Sequence, residues 1–210
     1  RRDRVQRASL GERPAGRADS GDTAITPRGR SDVLVAAGAF FVALVWFSLT
    51  VPYGLELRDE GFLYGLAERV AAGEIPHRDF REIYGPGSHW LTAGFLKLAG
   101  GQIVGVRVGI ALVKAIAVAL SYWIGRRVAA RPIALAGAIV AIAYWGRAAW
   151  KLNAPYASVY TIALALVAVA VLIDALRRDA PGRFALAGAC AGSAVLFKQS
   201  IGVMVLYGFG

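Results

Sequence analysis

Residues 33–53 read VLVAAGAFFVALVWFSLTVPY, twenty-one positions without a charged side chain. A helix rises about 1.5 Å per residue, so such a run crosses a hydrocarbon core of roughly 30 Å. In lipid, every backbone N–H and C=O must be satisfied inside the protein, which leaves helices and closed barrels as spanning structures. The alternating pattern of barrel strands is missing from this chain, so helices are expected. Further apolar runs cover about 103–124, 133–146, 156–175 and 184 to the end, the second of these short for a bilayer. The predicted architecture is an all-α polytopic membrane protein with about five transmembrane helices.

Composition agrees: 57% of residues are hydrophobic and 18% charged, yet the net charge is +10. The cations cluster beside apolar runs, as topology signals do, with Arg126, Arg127 and Arg131 after one span and Arg177, Arg178 and Arg183 after another. They form no basic face interleaved with aromatics, which argues against nucleic-acid binding. Residues 1–32 hold eight Arg and five acids among Gly, Pro, Ser and Ala. They are expected to be a disordered basic cytoplasmic tail, leaving 33–210 as the membrane domain. The tail is too long and basic for a signal peptide. With the N-terminus inside, loop 54–87 lies outside, and the turns at 126–132 and 176–183 lie inside. The Ala, Arg, Gly and Val richness, with few Lys, suggests a bacterial inner (cytoplasmic) membrane. The first residue is Arg and the apolar C-terminal end lacks a tail, so a fragment of a longer protein is expected. Cys190 is the single cysteine, which rules out an internal disulfide or a cysteine-based metal site.

Within this basic chain, seven of the fourteen carboxylates fall between Glu56 and Glu82. Phe62, Leu63, Leu66, Ala67 and Val70 recur at helical spacing, which predicts an interfacial helix over 60–72. Asp59 and Glu60 stand at its N-terminal end, where the helix dipole favours carboxylates, and an ordinary helix start would account for them. Glu74, Asp79 and Glu82 follow among turn-forming Gly and Pro, which could fold Asp79 or Glu82 back toward Asp59. Separated acidic pairs suit a general base or a divalent metal ion. Arg58, Arg78 and Arg81 make a salt-bridged loop the competing account. Residues 88–100 are too few to span and predict a second short interfacial helix, with Lys97 snorkelling to the headgroups.

The order of these motifs carries a resemblance. Asp59-Glu60, Gly73-Glu74-Ile75-Pro76, Asp79-Phe80, Tyr84-Gly85-Pro86, Gly100 and Arg107 follow one another, and GACAGSAVLFKQS then leads to Lys198. The chain resembles membrane glycosyltransferases of the C-type fold, in the dolichyl-phosphate-mannose protein mannosyltransferase-like superfamily. That superfamily includes lipid A aminoarabinose transferases and lipopolysaccharide-core galacturonosyltransferases. The likeness covers about 33–210 and corresponds to the N-terminal part of proteins more than twice this length. It implies transfer of a sugar from a polyprenyl-phosphate-linked donor to a glycan, lipid or protein acceptor at the outer face, with inversion. By motif position Asp59 matches the family's catalytic acidic residue, and Glu60 is its neighbour. Asp79 or Glu82 is the second acidic site, which in some relatives helps bind a divalent metal.

The buried cations fit that reading. Arg107 and Lys114 lie two helical turns apart on one face, and Lys114 is roughly 16 Å into its span. An unpaired cation there costs on the order of 2.5–3.5 kcal/mol, which a lipid phosphate or a water-filled cavity would offset. Lys198 is expected about 21 Å along the fifth span, level with Arg107. Arg107, Lys114 and Lys198 are therefore the expected donor-phosphate ligands, with Gln199 as a neutral donor and His77 and His89 as surface residues. The alternative is a transporter or flippase for a lipid-linked or anionic solute, which would place its acids at the midplane between broken helices. A non-catalytic scaffold subunit would need no such convergence.

Overall fold

The computed structural model describes residues 29–54, 56–146 and 153–208. The greater part of the expected tail, and Arg147 and Lys151, lie outside the described residues. Eight helices follow in order: α1 Gly29–Ser48, α2 Asp59–Ala71, α3 Pro86–Leu98, α4 Ile103–Val128, α5 Arg131–Gly146, α6 Ala157–Arg178, α7 Pro181–Val195 and α8 Gln199–Tyr207. The chain is an all-α, multi-pass membrane protein. Helices α1, α4 and α6 are long and apolar enough to cross a membrane, and α5 is apolar but shorter.

Helix α4 is the hub, packed against α1, α3, α5 and α6. Its contact faces are built from small residues: Ala111 and Ala115 meet Ala43 and Phe47 of α1, and Ala134 and Ala138 of α5 join the same core. Between membrane helices, small side chains let backbones approach and gain dispersion contacts, because lipid supplies no hydrophobic drive. A second cluster, Ala67, Ala93, Leu96 and Val106, seats α2 and α3 on the start of α4. Helix α2 turns Leu66 and Ala67 inward while Phe62 stays exposed. Gly73, at φ +103°, ends α2 in a backbone conformation that a side chain would resist.

Two boundaries differ from expectation, each for a tertiary reason. The first helix begins at Gly29, so Asp32 belongs to its first turn and is buried rather than part of a tail. Its carboxylate accepts from Arg126 Nε (3.1 Å), Arg126 Nη2 (3.3 Å) and the Tyr122 hydroxyl (3.0 Å). The run expected to form a fifth span is divided at 196–198. There the Leu196 carbonyl leaves the helical ladder's path and accepts the Gly87 N–H at 2.9 Å. The fifteen residues of α7 and nine of α8 are each too short to cross alone.

Candidate active site

Consecutive helical residues point about 100° apart, so the two acids that open α2 face different surroundings. Glu60 turns into the protein and is 1% exposed. Arg107, in the second turn of α4 and 5% exposed, meets it through two bonds, Nε to Oε1 at 2.6 Å and Nη2 to Oε2 at 2.8 Å. The same guanidinium donates to the Val51 carbonyl at 2.6 Å and to the Gly54 carbonyl. One side chain thus fastens the turn after α1, the start of α2 and the start of α4. Sequence reasoning gave Arg107 an anionic ligand; in the structure its three nitrogens are engaged with protein acceptors.

Asp59 points the other way and is exposed. Its Oδ2 accepts the Tyr156 hydroxyl at 2.6 Å, and its N–H donates to Glu56 Oε2 at 2.5 Å. Burial, then the hydrogen bond to Asp59, push the Tyr156 phenol well above its ordinary value, so it stays a proton donor to the carboxylate. Tyr156 is positioned by Asn153, whose Nδ2 donates to the Thr50 carbonyl at 2.9 Å, tying the start of α6 to the end of α1.

Asp79 and Glu82 have neighbours of their own. Asp79 accepts from the Ile75 N–H at 2.7 Å and pairs with Arg78. These bonds, Arg78 first, bring its carboxyl down to about 2. Glu82 turns inward against His89 of α3, with side chains 5% and 3% exposed. Its Oε1 accepts the Ile83 N–H at 2.6 Å. Glu82 Oε2 and His89 Nε2 are buried, 3.8 Å apart, and without hydrogen-bond partners among the described residues. Burial lowers the His89 value despite the nearby Glu82 carboxylate, which favours the neutral imidazole. His77 holds the loop locally, its Nε2 lying 3.0 Å from the Tyr84 carbonyl.

Lys198 lies in the break between α7 and α8, its Nζ 5.2 Å from the centroid of the Tyr84 ring. The break is pressed onto the start of α3. A Cβ at Gly85 would overlap the Leu196 carbonyl, which is why glycine stands there. Phe197 packs on the Tyr160 ring at 5.8 Å, and the Tyr160 hydroxyl bonds Thr92 of α3 at 2.8 Å. Tyr156 and Tyr160 are one helical turn apart, so the start of α6 carries Asp59 and the Lys198 segment on neighbouring positions. Lys114 is elsewhere: 2% exposed, it lies at the α1–α4 seam with Nζ 5.6 Å from the Phe47 centroid.

A family model described as dolichyl-phosphate-mannose-protein mannosyltransferase matches residues 84–209, more than half of the chain. The chain belongs to that family. Membership makes it, at the general level, a membrane glycosyltransferase that draws on a polyprenyl-phosphate-linked sugar. The family match takes in Arg107, Lys114 and Lys198 and begins after the loop acids. No curated protein and no solved structure matches the chain. Sequence reasoning missed Tyr156, Tyr160, Thr92 and the Glu82–His89 pairing. Tyr156, Tyr160 and Thr92 act through partners 68 to 97 residues away, and the Glu82–His89 pair forms across a turn that hydropathy does not reveal.

Proposed function

We propose that this mannosyltransferase-family protein transfers a sugar from a polyprenyl-phosphate carrier to a hydroxyl acceptor at the outer face of a bacterial cytoplasmic membrane, by a single inverting displacement. The observation that carries the reading is the exposed Asp59 carboxylate, held by Tyr156, one helical turn of α6 from the segment bearing Lys198. Asp59 accepts the proton of the acceptor hydroxyl. The acceptor oxygen then bonds to the anomeric carbon, and the bond from that carbon to the carrier phosphate breaks with its electron pair leaving on phosphate. Lys198 stabilises that charge, a role for a preorganised cation near the leaving group. Glu60 and Arg107 position the loop and do not touch substrate. Lys114 supports the α1–α4 seam. The motif order from Asp59 to Arg107 supports an envelope lipid or glycan as acceptor. Transfer to a peptide hydroxyl but not to such an acceptor would remove that part.

Asp59→Asn keeps size and hydrogen-bonding shape but removes the base, so kcat should fall about 10²–10⁴-fold with the thermal midpoint unchanged. Lys198→Met should raise the donor KM about tenfold and leave the acceptor KM alone, as expected for loss of one charge-assisted contact. Near-normal transfer by Asp59→Asn would end the reading.

A divalent ion was expected at Asp79 or Glu82. No group of three or more ligating side chains forms among the described residues. Of the two acids, Glu82 is the better supported, because its unpartnered buried Oε2 and the unpartnered His89 Nε2 lie 3.8 Å apart, a separation that one ion at about 2.1 Å from each would bridge. Asp79 is engaged by Arg78 and Ile75. Such an ion would supply fixed positive charge beside the Lys198 segment. Equilibrium binding of Zn²⁺ to the chelator-treated protein should be lost in His89→Gln and kept in Asp79→Asn. The opposite pattern would return the ion to Asp79.

A further inference from the structure

At the end of the bundle remote from Asp59, α4, α6 and α7 line an open cavity of about 470 Å³. Arg127 lies twenty residues beyond Arg107 on α4, about 30 Å along the axis and so a full hydrocarbon thickness away. Ala170, Val171 and Leu186 line the cavity together with Arg127, Arg178 and Arg183 and a single carboxylate, Asp174. Arg178 and Arg183 share that carboxylate, the former at 3.0 Å. The lining therefore carries two uncompensated positive charges. Arg127 is fixed over the Trp123 ring at 4.4 Å, and Arg177 caps α4 by donating to the Arg127 carbonyl at 2.6 Å. Arg127 Nε is nevertheless buried and has no hydrogen-bond partner among the described residues.

Leaving a buried donor unpaired costs about 1–3 kcal/mol, so a cavity built this way favours a ligand that brings acceptor oxygens. A guanidinium fork matches carboxylate and phosphate oxygens bidentately, and phosphate is the one that every phospholipid carries. The second observation names its source. Trp123 is also a wall of an apolar groove of about 550 Å³ between α1 and α4, lined by residues such as Val33, Phe40, Ile116 and Leu120. A free phosphate has no use for that groove; an acyl chain does.

We propose that this cavity binds the phosphate of an anionic phospholipid in the leaflet opposite Asp59. Arg127 and Arg183 hold the phosphate oxygens, and an acyl chain follows the α1–α4 groove past Trp123. Basic pockets between membrane helices serve this purpose in general, with the headgroup at the level where the helices end.

The test is native mass spectrometry of the purified chain in detergent, offered phosphatidylglycerol, phosphatidylcholine or inorganic phosphate. Phosphatidylglycerol should be retained about tenfold or more over phosphatidylcholine, the size expected for one or two charge-assisted bonds. Millimolar phosphate should not displace it. The double variant Arg127→Gln/Arg183→Gln should lose that preference, while Arg81→Gln in the acidic loop keeps it. Equal retention of both lipids, or an unchanged preference in the double variant, overturns the proposal. Displacement by inorganic phosphate overturns it in favour of a soluble anion. Independently of how the double variant folds, a photoreactive phosphatidylglycerol on the unaltered chain must label peptides within 123–127 or 170–186; labelling confined elsewhere is equally fatal.

Discussion

Helix α4 carries a buried ion pair near each of its ends, and the two are alike in composition but not in consequence. At one end Arg126 meets Asp32 at 3.1 Å, with Tyr122 and the Ala129 carbonyl completing the set. At the other Arg107 meets Glu60 at 2.6 Å, with the Val51 and Gly54 carbonyls completing it. The first joins two helices that pack along their length, α1 and α4. It adds a lock to a seam that Ala43, Ala111 and Ala115 already close. The second joins the turn after α1 to the starts of α2 and α4, and it leaves Asp59 exposed on the adjoining residue. Arginine and carboxylate in lipid are therefore no guide to function by themselves. What each pair holds in place decides its role.

The largest expected effects test this contrast directly. Removing one partner of a buried pair strands the other charge, at about 3–5 kcal/mol. Asp32→Ala and Glu60→Ala should both lower the thermal midpoint by comparable amounts. Only Glu60→Ala should also lower kcat per folded molecule. Replacing both members, as in Asp32→Leu/Arg126→Met, should recover most of the stability at that end with transfer intact, since an apolar pair avoids the desolvation penalty. Loss of turnover in that double variant would break the comparison.

A smaller effect is expected at the hydroxyl that steadies Asp59. Tyr156→Phe deletes one hydrogen bond to a charged group, worth about 1.5–3 kcal/mol, so kcat should drop roughly ten- to hundredfold with donor KM unchanged. The matching deletion at the other end, Tyr122→Phe, removes a bond of the same type and should leave kcat alone. Equal losses in the two variants would mean that both act only through stability.

The smallest perturbation only reports where the two ends lie. Single cysteines at Glu74 and Asp179, in a Cys190→Ala background, should react with an impermeant thiol reagent from opposite sides, the former from outside. The expectation rests on the basic clusters flanking the spans and on the length of α4. Labelling of both from one face would undo the assignment of ends to leaflets.

Much of the helix inventory was legible in the chain. Apolar runs and turn residues placed α2, α3, α4, α5 and α6 within a few positions, because those signals act over one or two helical turns. The second acidic position was legible as a choice between Asp79 and Glu82, and local spacing could not make it. The proposal of Glu82 rests on its burial beside His89 of α3, which spacing along the chain does not show. The apolar run after 184 reads as one span because hydropathy is additive along the chain. The Gly87 N–H that draws out the Leu196 carbonyl comes from more than a hundred residues away.

By itself, then, the sequence determined that this chain lives in a membrane as helices, that half of its acids gather in one short segment, and which family it joins. Those follow from composition, period and motif order, all local quantities. Only the tertiary structure decided that Asp32 is a buried partner rather than part of a tail. It alone turned Arg107 toward Glu60 and two carbonyls rather than an open site, and brought Tyr156 to Asp59. The physical reason is the same in each case. A charge or hydroxyl in a low-dielectric interior must be matched by a specific partner within about 3 Å. Which partner arrives depends on helix packing, and packing is written across the whole chain rather than in any one stretch.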